Sequence, residues 1–73
     1  MYIIVVGGGN IGYFLAKKLS GDKHVVALVE KDKGVCDKIS EELDILVIRG
    51  DASDIKILES AGIARADVIA SVT

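Results

Sequence analysis

Short runs of consecutive apolar residues alternate along this chain with longer stretches that mix apolar and charged residues. Tyr2-Ile3-Ile4-Val5-Val6 carries no charge and is rich in β-branched residues. Such a run suits a strand covered on both faces, as in a parallel sheet. From Ile11 to Leu19 the spacing becomes helical, with Ile11, Leu15 and Leu19 on one stripe and Phe14 beside it. Lys17 and Lys18 face away, near the negative end of the helix dipole. Ser20-Gly21-Asp22 ends this helix. Val25 to Val29 is a second apolar strand. Asp32 then supplies an N-cap for a helix over about Lys33 to Glu42. Ile45 to Ile48 predicts a third strand. Ser53 reads as the cap of a helix running through Leu58, which Gly62 closes. Val68 to Val72 predicts a fourth strand.

The order β-α-β-α-β-α-β implies right-handed crossovers and a parallel sheet with helices on both faces. The expected fold is α/β, a Rossmann-like three-layer sheet with strand order 3-2-1-4: the first half of a dinucleotide-binding fold plus one strand. Composition agrees with a globular chain. Of the 73 residues, 51% are hydrophobic and 27% charged, and there is no proline. The net charge is −2 and the aromatics are two tyrosines and one phenylalanine. A positive stripe with stacking platforms is therefore missing, which argues against a nucleic-acid surface. The single cysteine, Cys36, cannot form an internal disulfide, and a cytoplasmic setting fits. The apolar start is too short to span a bilayer, so any service to a membrane is expected to pass through a partner.

Candidate chemistry begins at the end of the first strand. Gly7, Gly9 and Gly12 match G-x-G-x-x-G between a strand and a helix. The first glycine permits the tight turn, the second lets backbone approach a phosphate, and the third lets helix and strand pack closely. Gly8 has no task in this pattern. Glu30 ends the second strand near the offset of about 20 residues expected for a ribose-binding acid. Its carboxylate suits two ribose hydroxyls and repels a 2′-phosphate, favouring NAD or another unphosphorylated adenosine over NADP. Lys31, beside it on the ligand side, blunts that preference. Gly50-Asp51-Ala52-Ser53 follows the third strand, on the rim where ligands of open α/β sheets lie. Asp51 and Ala52 face the expected adenine position, and Asp51 equally suits an organiser of the turn. Thr73 ends the fourth strand on the same rim, either as a contact or as a plain strand end. His24 lies at the opposite rim, Cys36 reads as a structural thiol, and Asp37, Glu41 and Glu42 form a solvated face with Lys33 and Lys38.

Three stretches, "IIVVGGGNIGYFLAKKL", "VALVEKD" and "LVIRGDASDIKILESAGIARADVIASVT", together resemble the KTN (TrkA-N, or RCK) domain family over essentially the whole chain. The most specific part is "GDAS" followed by "LESAGI", "ADVI" and "SVT". The resemblance implies that residues 1–73 are the N-terminal portion of a regulatory domain. Such domains bind NAD(H), AMP, ADP or ATP, form dimers or larger rings, and control a membrane potassium transporter subunit without turnover. It places the phosphate loop on Gly7, Gly9, Asn10, Ile11 and Gly12, the ribose acid on Glu30, the adenine side on Asp51 and Ala52, and the fourth-strand end on Thr73. Asn10 stands where family members often carry Arg, and Glu30 where they often carry Asp. A whole domain of the family continues with further strands and helices, so the Val68–Val72 strand is expected to be an apolar edge. The alternatives are the cofactor half of an NAD-dependent oxidoreductase, which needs a catalytic domain after Thr73, and a methyltransferase half-site. The latter usually has an acid shortly before the glycines, where this strand is apolar.

Overall fold

Every strand in the sheet runs in the same direction, because each is reached through a helical crossover. The computed structural model describes residues 1–72. Strands β1 (Tyr2–Val6), β2 (Val25–Glu30), β3 (Leu46–Arg49) and β4 (Val68–Ser71) alternate with helices α1 (Asn10–Gly21), α2 (Lys33–Glu42) and α3 (Ile55–Ser60). The sheet order is β3-β2-β1-β4 and all three pairings are parallel, as the alternation predicts. Tyr2 pairs with Val25 at one end and Val6 with Val29 at the other, so the C-terminal ends of the two central strands form one rim.

The continuous apolar runs are explained by burial on both sides. On one face Ile3, Val5, Val26 and Leu28 pack with Ala16 of α1 and Ile39 of α2. On the other Ile4, Ala27 and Val29 pack with Ala61, just after α3. Leu28 and Ile4 are fully buried, each contributing about 1.5–3 kcal/mol relative to exposure. Tyr2 ties the second face down at its far end, donating its hydroxyl to the Ala61 carbonyl. The left-handed backbone of Gly62 (φ 84°) ends α3 as expected. A short 3-10 turn over Ile63–Arg65, with no periodic signal in the sequence, then leads to β4.

Several boundaries differ from the sequence expectation. Helix α1 begins at Asn10 and continues through Gly21, with the Asp22 N–H bonding the Lys18 carbonyl at 3.0 Å. Its buried residues are Gly12 and Ala16, and Leu15 and Leu19 of the expected stripe pack against the core, whereas Ile11 is 69% exposed and Phe14 65%. The cause is close packing. A Cβ on Gly12 would stand 1.8 Å from the Gly7 carbonyl oxygen, so the helix touches the strand along its smallest residues. Strand β3 starts at Leu46, and Ile45 packs on the core just before it. Ser53 does not cap α3. Asp54 does, accepting the Lys56 N–H at 2.9 Å, and the helix runs to Ser60. Strand β4 ends at Ser71, and its residues Val68 and Ile69 are 40% and 47% exposed, an apolar edge.

Candidate functional site

The rim formed by the ends of β1, β2 and β3 gathers most of the residues singled out above. Gly7 leaves β1 with φ 103°, a conformation open to glycine, while its N–H bonds the Val29 carbonyl at 2.9 Å. Gly9 is the N-cap of α1 at φ −68° and ψ −166°, and no side chain caps the helix. Helices α2 and α3 each begin with an aspartate that accepts a backbone N–H. The first N–H groups of α1 are thus left for water or an anion. An added Cβ on Gly9 would meet nothing within 4 Å. Approach to the loop is therefore bare at Gly9 and sealed by packing at Gly12. Asn10 and Ile11 open the first turn of α1 and are exposed.

Gly8 has a task that no glycine pattern assigns. It is buried, and a Cβ there would lie 3.0 Å from both Ile39 and Val35 of α2. Its N–H donates to Glu30 Oε1 at 2.8 Å. The other carboxylate oxygen, Oε2, accepts the Asp32 N–H at 2.7 Å. These two donors, Asp32 first and then Gly8, hold the Glu30 carboxyl below its ordinary pKa. A carboxylate offers about four lone-pair sites, so acceptor capacity remains after these backbone bonds. Glu30 is thus fixed by backbone donors at both oxygens and keeps acceptor capacity for a hydroxyl donor. Asp32 in turn caps α2 by accepting the Val35 N–H at 3.0 Å.

A cleft of about 280 Å³ opens between these residues and the β3 rim, close to the ~300 Å³ lower end for small-molecule sites. Gly7 and Gly50 line it with backbone, Val6, Val29 and Ala52 give it apolar walls, and Glu30, Lys31 and Asp51 are its polar side chains. An apolar slot beside a fixed carboxylate can take a flat ring with a diol attached. Asp51 performs the turn role: its Oδ1 accepts the Ser53 N–H at 2.9 Å. That bond, with one to the Ser53 hydroxyl and the Lys31 charge, lowers its pKa. Gly50 is needed for packing, since a Cβ there would stand 2.5 Å from Ile57.

The structure therefore brings Gly7, Glu30, Lys31, Asp51 and Ala52 together in one cleft. Asn10 lies instead in a neighbouring groove of about 140 Å³ with Gly8 and Gly9. Ile11 lines neither, and Thr73 is outside the described residues. Cys36 is buried and its thiol points at the Glu30 carbonyl oxygen, 3.4 Å away. Burial, then the Glu30 charge, raises its pKa, as suits a structural thiol. His24 sits at the opposite rim, 3.2 Å from the N-terminal ammonium. Lys33 and Asp37 form the exposed pair of a solvated face at 2.8 Å. Among the described residues no cluster of metal-ligating side chains occurs, and no helix is long and apolar enough to cross a membrane.

Comparison with known proteins is consistent along the whole chain. A protein named Trk system potassium uptake protein TrkA homolog from Methanothermobacter thermautotrophicus is 45% identical over 73 residues, covering 100% of this chain and 34% of that protein. One of the same name from Pyrococcus abyssi is 45% identical over 73 residues, covering 100% of this chain and 32% of its own length. Trk system potassium uptake protein TrkA of Vibrio alginolyticus is 42% identical over 72 residues, 97% of this chain and 16% of that protein. The chain thus spans about a third or less of these relatives. The model of the TrkA-N domain matches residues 3–73, and the chain belongs to that family.

Proposed function

We propose that this chain is the adenosine-nucleotide-binding face of a regulator of potassium uptake. The observation that carries the reading is the Glu30 carboxylate, fixed by the Gly8 and Asp32 N–H groups beside a loop left bare at Gly9. A ribose diol donates to the free lone pairs of Glu30. The attached phosphate lies over Gly9 against the uncapped start of α1, with Asn10 and Ile11 in that first turn, and Gly7 and Gly12 hold the loop in shape. The base enters the cleft between Val29 and Ala52, beside Lys31 and Asp51. The ligands that fit are NAD(H) or AMP, ADP and ATP. The negative charge of Glu30 disfavours a 2′-phosphorylated ribose.

The potassium assignment rests on the names of the relatives, all Trk system potassium uptake proteins. The role proposed is binding, not turnover. A nucleotide that binds one conformation of a dimer or larger ring better than another shifts the population toward it, and with it the state of an attached membrane transporter subunit. The protein then sits at the cytoplasmic side of the membrane through that partner. Calorimetric titration with AMP, NADH, NADPH and S-adenosylmethionine tests the ligand class. Binding of AMP and NADH, with NADPH much weaker, is expected. Preference for S-adenosylmethionine, or no adenine nucleotide bound, overturns the reading.

A further inference from the structure

Asp32 touches both ends of the turn that joins β2 to α2. Its own N–H donates to Glu30 Oε2 at 2.7 Å. Its Oδ1 accepts the Val35 N–H at 3.0 Å, and its carbonyl accepts the Cys36 N–H at 3.0 Å. Lys31, between Glu30 and Asp32, is exposed and belongs to neither a helix nor a strand. The aim of the Asp32 N–H is therefore set by how Asp32 is fastened to α2. Gly34 leaves that fastening room, since a Cβ there would stand 3.2 Å from Asp32 Oδ1. Helix α2 is itself seated on the sheet through the buried Cys36 and Ile39. The Glu30 main chain is held separately: its carbonyl accepts the Gly50 N–H at 2.9 Å and the Cys36 thiol at 3.4 Å. What the Asp32 cap controls is thus the Glu30 side chain.

We infer that Asp32 is a positioning residue for nucleotide binding: its capping carboxylate aims its own N–H at Glu30, which presents the Glu30 carboxylate to the ribose in one orientation. The inference rests on the nucleotide reading of Glu30. A carboxylate held before the ligand arrives spares the complex the entropy of ordering it. The cap bounds what Asp32 can transmit, and a lost cap is equivalent to about fivefold in an equilibrium constant. The other charged groups around Glu30 are Lys31 and Asp51 in its cleft, Arg49 opposite it on β3, and Cys36 and Asp37 on α2. All of these are common to the native protein and the variants below.

The test reads the Glu30 carboxyl pKa by NMR in the unliganded full-length protein and its AMP affinity by calorimetry. The variants are Asp32→Asn, Asp32→Ala and Asp32→Gly, with Asp54→Ala as control. Asparagine and alanine both remove the charge, and only asparagine caps, so their difference isolates the fastening. Asp32→Asn should keep the lowered Glu30 pKa and native affinity. Asp32→Ala should raise that pKa and weaken AMP by about fivefold. Asp32→Gly should do the same with less loss of stability, because glycine is the better tolerated N-cap. Asp54→Ala loses the equivalent cap on α3 and should leave both readouts at native values. An equal Glu30 pKa in all three Asp32 variants, a raised pKa with unchanged AMP affinity, or the same losses in Asp54→Ala overturns the inference. No AMP bound by the native protein overturns the nucleotide reading, and the inference with it, even where the pKa responds.

Discussion

Replacing Gly9 by alanine separates binding from folding, because the structure makes opposite demands on the two. The backbone at Gly9 (φ −68°, ψ −166°) is one that any residue adopts, and the added methyl meets nothing within 4 Å. Less freedom in the unfolded chain favours alanine by about 0.4–1 kcal/mol. Alanine is a poorer N-cap than glycine by about the same amount. The two offset, so the urea midpoint should stay within the equivalent of about 1 kcal/mol of native. The methyl nonetheless occupies the approach to the start of α1. Loss of one hydrogen bond to a charged phosphate costs about 1.5–3 kcal/mol, or roughly 10- to 150-fold in Kd. Gly9→Val, with a larger side chain, should abolish binding. Urea unfolding and calorimetric titration with AMP on the same preparation read both effects. Native AMP affinity in Gly9→Val would refute the phosphate-loop assignment, and an unfolded Gly9→Ala would refute the loop geometry.

Gly12→Ala should do the reverse, losing stability first. Its Cβ lands 1.8 Å from the Gly7 carbonyl oxygen, and overpacking of this kind costs about 1–3 kcal/mol or more, seen as a lower urea midpoint. Glu30→Gln should weaken adenosine ligands by tenfold or more, since an amide cannot accept on both sides as the carboxylate does. Glu30 has a folded pKa below its ordinary 4.5. Its stabilising contribution is therefore present above the ordinary value and lost as pH falls through the lowered one. The gap in urea midpoint between native and Glu30→Gln should be full at neutral pH and close in acid. Asp54→Ala should cost about 0.5–2 kcal/mol as a lost cap, whereas Ser53→Ala should change stability by under about 0.5 kcal/mol. Equal effects at the two positions would return the cap to Ser53.

The sheet was legible in the sequence because two-sided burial demands unbroken apolar runs, and β1 and β2 supply them. The glycine loop and Glu30 were legible because both act within a few residues of a strand end. What escaped was set by contacts between distant segments. Gly8 is held against Val35 and Ile39, and Gly50 against Ile57. A missing side chain carries no mark of the neighbour that forbids it. On α1 the spacing correctly places Leu15 and Leu19 against the core and the glycine pattern correctly gives the close contact to Gly12, but Ile11 and Phe14 are exposed. "DASD" offers two aspartates and a serine as caps. Only the backbone path selects Asp54 for α3 and gives Asp51 the preceding turn.

The central claim is that an adenosine nucleotide is held between Glu30 and the glycine loop. The most direct measurement is a titration of the isotopically labelled protein with AMP, following backbone amide resonances. The Gly8, Gly9 and Asp32 amides should shift together and saturate with one affinity, while those of His24 and Gly62, away from the cleft, stay in place. Saturable shifts confined to the opposite rim, or none at Gly8 and Asp32 at millimolar AMP, would contradict the account.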